Sequence, residues 1–136
     1  MPPLGDVDEE VVMNKEDFIY DDSREKFVAH LNGIEVTIRK DIMTDEVLAL
    51  TNKILKNYSQ NVNVVADYLS MDDGIKNFNS AITKDEIAQK LNEPILDMDE
   101  NGGILTYCNH ALDLDHIIDL AFGGCFEEFH YVSLDG

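Results

Sequence analysis

Apolar and polar residues alternate most strictly over residues 26–39, where KFVAHL and IEVTIR flank Asn32-Gly33. In the second segment Ile34, Val36 and Ile38 interleave with Glu35, Thr37 and Arg39, the period of two shown by a strand with one buried face. Asn-Gly suits a type I′ turn, because both central residues need positive φ, so this stretch predicts a tight β-hairpin.

The period then lengthens. Thr44 caps a helix that has Asp45 and Glu46 in its first turn and Lys53 and Lys56 near its end, with Val47, Thr51, Ile54, Leu55 and Tyr58 along one face. A second helix is predicted over about 61–71, with Val62, Val65, Tyr68 and Leu69 turned inward and Asp72-Asp73-Gly74 as its stop. A third starts at a capping box of Thr83 and Glu86, with Ile82 and Ile87 in the positions of a hydrophobic staple, and ends at Asn92-Glu93-Pro94.

Beyond Pro94 the period returns to two. Strands are predicted near 95–98, 104–109, 116–122 and 127–134, separated by Gly102-Gly103, a longer polar loop and Gly123-Gly124. Short links favour an antiparallel meander. The order predicts an α+β fold: an N-terminal β-hairpin, three helices, then a C-terminal antiparallel meander, with the helices packed on one face of the sheet.

Composition sets the boundaries. A chain of 136 residues, 44% of them hydrophobic, is enough for one core. Residues 1–25 carry two prolines and nine carboxylates but few large apolar groups, so they read as an acidic, flexible N-terminal arm that Phe18, Ile19 and Tyr20 can anchor. Residues 26–136 read as a single α+β domain. The apolar runs are too short to span a bilayer, and MPPLGDVDEE has neither the basic start nor the apolar stretch of a secretory signal, so a cytoplasmic location is expected.

Charge narrows the partners. The formal net charge is −18, from 28 carboxylates against 10 basic residues, which argues against a nucleic-acid or anionic-membrane surface and for cations, basic proteins or groups indifferent to charge; a basic protein is the expected partner. No Lys or Arg follows Lys90, whereas ten carboxylates do, so the predicted C-terminal sheet concentrates the acidity.

Candidate chemistry changes this picture little. DMDENGGI places Asp97, Asp99 and Asn101 at the alternating spacing of an EF-hand loop, but Cys108 stands where a calcium site needs a bidentate Glu and Pro94 breaks the incoming helix, so a polar hairpin turn is expected. HALDLDH gathers His110, Asp113, Asp115 and His116, a mixture able to bind a transition metal or move a proton; as a loop it is ordinary turn chemistry. With Cys108, His110 suggests a thiolate–base pair, yet no basic neighbour lowers the thiol pKa, and a buried, inert, reduced Cys108 is expected, as is a reduced Cys125. Glu127 and Glu128 precede Phe129 and Tyr131, which by strand alternation should share one face, with Glu128 and His130 on the other. These four, with Asp113 and Asp115, are the expected partner-binding residues. No cofactor fingerprint or catalytic signature is present, so neither a cofactor nor an enzymatic activity is expected.

The segments GIEVTI, DYL, ITKDEIAQKL, DLDHIIDLAF and YVSLDG, in that order over residues 27–136, give the chain a likeness. It resembles a family of small acidic bacterial domains of unknown function with a G-x-x-V strand, a helical middle and a late His-Ile strand. Asp115 stands here where an aromatic-Gly precedes the late histidine in that family. The resemblance implies no activity and transfers no catalytic residue. Size, charge and fold class are also similar to those of immunity proteins, which neutralise toxins by binding them. The expected function is therefore a non-enzymatic protein-binding module; the alternative is a metal-dependent enzyme or calcium-binding domain using the 97–101 loop or the 110–116 cluster.

Overall fold

The computed structural model describes residues 12–77, 83–113 and 115–135. A seven-stranded sheet runs in chain order: β1 (Ile19–Asp21), β2 (Lys26–Leu31), β3 (Ile34–Arg39), β4 (Ile95–Met98), β5 (Gly102–Tyr107), β6 (Ile117–Gly123) and β7 (Glu128–Asp135). All neighbours pair antiparallel except β3 and β4, which are parallel. Parallel neighbours need a long crossover, and the helices α1 (Asp45–Ser70), α2 (Asp73–Lys76) and α3 (Lys84–Lys90) supply it.

The β2–β3 hairpin forms where the alternation placed it. Leu31 pairs with Ile34, and Asn32 and Gly33 have φ of 54° and 84°, the two positive values the turn requires. Preceding it, the expected arm is structured from Val12 onward: Ile19–Asp21 adds an edge strand, while Met13 and Phe18 are buried in the core. Met13 is tied at both backbone ends to Asn52 of α1, its N–H donating to Oδ1 at 2.8 Å and its carbonyl accepting from Nδ2 at 3.0 Å.

The helical middle departs from the sequence reading. One helix of 26 residues replaces the two expected. The run Asn57–Gln60 contains no Gly or Pro, and the amides of Asn57 and Asn61 donate to the carbonyls of Lys53 and Asn57 one turn back, so helix continues through it. Thr44 caps its start, accepting from the Val47 N–H at 3.1 Å. Asp72-Asp73-Gly74 begins α2, with the Asp72 carboxylate accepting from the Ile75 N–H. The Thr83–Glu86 capping box opens α3 as expected; Ile82, the other half of the proposed staple, lies outside the described residues.

Gly102 and Gly103, read as a turn, open β5 instead. A β-carbon at Gly102 would overlap the Phe122 carbonyl, and one at Gly103 would sit 2.6 Å from the Asp97 carbonyl oxygen. The glycines allow β4, β5 and β6 to meet closely.

On one sheet face Val36, Ile38, Leu96, Met98, Leu105, Tyr107, Ile118, Leu120 and Phe122 are buried with Ile54, Val65 and Leu69 of α1, Ile75 of α2 and Ile87 of α3. The Tyr58 and Tyr107 hydroxyls meet at 2.6 Å, and the Tyr68 and Phe129 rings stack at 4.6 Å, which locates α1 over this face. No described helix is long and apolar enough to cross a membrane.

Candidate partner-binding face

Strand pairing places Ile19, Val28, Thr37, Asp97, Ile104, Ala121 and Tyr131 in one row across the sheet. Ala29, Val36, Leu96, Leu105 and Leu120, their chain neighbours, belong to the core or pair with it, so alternation puts the row on the opposite, open face. Its ends are exposed, Ile19 by 76% and Tyr131 by 51%, whereas Thr37 and Ala121 are closed over by their neighbours.

The two halves of this face differ in charge. Around β1–β3, Asp21, Glu35 and Asp97 each have a base. Arg24 donates to Asp21 at 2.8 Å and to Glu35 at 3.0 Å. Lys26 Nζ and the Thr37 hydroxyl both donate to Asp97 Oδ1, at 3.0 and 2.7 Å. The hydroxyl of Ser23, then the guanidinium of Arg24, hold the Asp21 carboxyl down to about 2, and the same bond to Asp21, with that to Glu35, raises Arg24.

Around β6–β7 acids face acids. Asp119 lies opposite Ser133 and Ile117 opposite Asp135, so Tyr131, Ser133 and Asp135 follow one another on the open side of β7 beside Asp119. Thr106 donates to Asp119 at 2.7 Å. Partial burial, together with the hydrogen bond and charge of Asp135, raises the Asp119 pKa despite that donor. The two carboxyls are held close enough for one to donate to the other, and no Lys or Arg of β4–β7 stands between them.

The expected binding residues are only partly brought together. Phe129 and Tyr131 do not share a face. A bulge opposite Ala121/Phe122 leaves His130 as an extra residue, so Phe129 pairs with Phe122 and stacks on Tyr68 in the core, while Tyr131 pairs with Ala121 on the open side. Glu127 and Glu128 sit at the β6–β7 turn, whereas Asp113 and Asp115 lie before β6, at the end where Ile117 meets Asp135. Seven residues of β6 separate the two acidic pairs, about 23 Å at strand rise.

The 110–116 cluster is closed on itself. Leu112 N–H donates to His110 Nδ1 at 3.0 Å, so the buried ring is left with its proton on Nε2, which donates to the His116 carbonyl at 2.7 Å. Asp113 accepts from the Asp115 and His116 N–H groups and contacts His116 Nδ1 at 2.6 Å. Partial burial of Asp113 acts to raise its pKa; the bonds from His116 and Asp115 outweigh it and leave the carboxyl below its ordinary value.

In the 97–101 segment, Asp97 belongs to the paired half of the open face. Asp99 accepts from Glu100 N–H, and the Asn101 carbonyl accepts from Gly124 N–H at 2.6 Å. Among the described residues no three His, Cys, Asp or Glu side chains gather as a metal ion would require. Cys108 is exposed, not buried, because β5 ends at Tyr107 and the thiol falls in the following bend. Burial raises the Cys125 thiol.

A scan against protein-family models and searches of curated proteins and of solved structures return no match to this chain. The residues that sequence reasoning missed, Asp119, Asp135 and the transverse row, carry only a weak local signal: alternation marks them as outward-facing, and register alone makes them neighbours.

Proposed function

We propose that this chain is a non-enzymatic protein-binding module that receives a basic partner on the β6–β7 half of its open sheet face. The observation that carries the reading is Tyr131, half-exposed, in line with Ser133 and Asp135 and beside Asp119, on a stretch without a single Lys or Arg. A lysine or arginine from a partner placed beside Asp119 and Asp135 offsets the repulsion between the two carboxyls. Tyr131 supplies apolar contact area at low entropy cost, and the long-range field steers a cationic surface to the site. β7 is also the last strand of the sheet, and among the described residues no strand pairs with its outer edge, which the same partner can use. The acidity and α+β class are shared with immunity proteins, which supports a toxin-neutralising role in a bacterial cytoplasm.

Affinity capture from host extract with the wild type and with a Tyr131→Ala/Asp135→Lys variant tests this reading. The wild type is expected to retain a basic protein whose binding weakens as salt rises, and the variant to bind it about tenfold or more weakly. Equal retention by both, or retention indifferent to salt, refutes it.

A further inference from the structure

On the helical side, away from the proposed partner face, a groove of about 620 Å³ runs between α1, the end of α3 and the β2–β3 turn. Its volume falls in the range of about 300–1,000 Å³ typical of small-molecule sites. Leu31, Ile34, Leu55, Val62 and Ala88 supply its apolar part, and Lys56, Glu93 and Tyr58 line it as well.

Proton counting at Tyr58 says what the groove offers. Tyr58 and Tyr107 have two hydroxyl protons and one hydrogen bond, 2.6 Å long, between them. Tyr107 is fully buried and, among the described residues, has no other hydrogen-bond partner. Were Tyr58 the donor, the Tyr107 proton would be buried without an acceptor, the costly arrangement. Tyr107 therefore donates, and the Tyr58 proton remains unspent in a residue that lines the groove. Lys56 and Glu93 line the groove with opposite charges, so neither sign of ligand charge is favoured there, and what the Tyr58 proton needs is an acceptor.

We infer that this groove binds a small neutral molecule with an apolar body and a carbonyl-type oxygen, which accepts the Tyr58 proton. The inference is independent of the partner-binding reading, since it involves the other side of the sheet.

Acetophenone and ethylbenzene, nearly equal in shape and differing in the acceptor, are the probes, titrated into the protein and followed by its NMR signals. Acetophenone is expected to move the signals of Leu55, Val62 and Ala88 and to bind about 3- to 10-fold more tightly than ethylbenzene, the worth of one net hydrogen bond. Tyr107→Phe keeps that preference, because Tyr58 keeps its proton. The Tyr58→Phe/Tyr107→Phe double variant, which strands no buried hydroxyl, binds both probes equally. Equal binding of the two probes by the wild type, shifts confined to another surface, absence of binding, or a preference surviving in the double variant each overturn the inference.

Discussion

Two halves of one sheet face both carry carboxylates, and these behave oppositely. Around β1–β3, Asp21, Glu35 and Asp97 each contact Arg24 or Lys26, so their charges are spent inside the molecule. Around β6–β7, Asp135 is a diagonal neighbour of Asp119 across the strand pair, and Asp119 is pushed up where Asp21 is pulled down to about 2. Exposed ion pairs contribute little to stability. The lesson lies instead in availability: a paired acid has no charge left for a partner, whereas two neighbouring acids without a base gain from any cation that arrives.

The largest expected effect separates the two aromatics of β7. Phe129→Ala removes a ring stacked on Tyr68 and is expected to cost about 2 kcal/mol in chemical denaturation, less than a fully buried Phe because Phe129 is half-buried. Tyr131→Ala is expected to change stability by under about 0.5 kcal/mol, as a surface residue does. Equal costs would mean that the bulge does not divide the strand between two faces.

Next in size, Thr37→Val tests the centre of the row. Its hydroxyl is buried and donates to Asp97, so the variant should lose about 1 kcal/mol, read as a lower denaturation midpoint. An unchanged midpoint would show that Lys26 alone suffices for Asp97.

The smallest effect gives opposite pH slopes to the two halves. A carboxyl with a raised folded-state pKa stabilises below its ordinary value, and that contribution is lost as pH rises through the raised one. Asp119→Asn should therefore stabilise the protein at neutral pH, by about 0.5 kcal/mol after solvent screening, with the gain vanishing in acid. Asp21 is the reverse: its contribution is present above the ordinary 3.8 and lost as pH falls towards about 2. Asp21→Asn should destabilise at neutral pH and match the wild type in strong acid. Denaturation midpoints across pH measure both, and parallel slopes would erase the distinction between the halves.

Much of the fold was legible because its signals are local. The Asn32-Gly33 turn, the Thr44 cap and the Thr83–Glu86 box each depend on residues within a few positions, and each forms where it was expected. The continuity of α1 was missed where one apolar face was traced to Tyr58 and another from Val62, although the Asn57 and Asn61 side chains turn back onto the helix's own carbonyls between them. Gly102-Gly103 misled for a related reason: glycine marks both a turn and a close approach, and only the neighbouring strand tells them apart.

By itself the sequence determined the α+β class, the period of the β2–β3 hairpin and the one-sided excess of carboxylates after Lys90, since propensity and composition are properties of the chain alone. Tertiary structure decided which carboxylates meet. Asp119 and Asp135 are sixteen positions apart in the sequence, and Tyr131 reaches their face only through the extra residue at His130. Register and bulges are set by pairing between strands, and a one-residue slip exchanges the two faces of a strand.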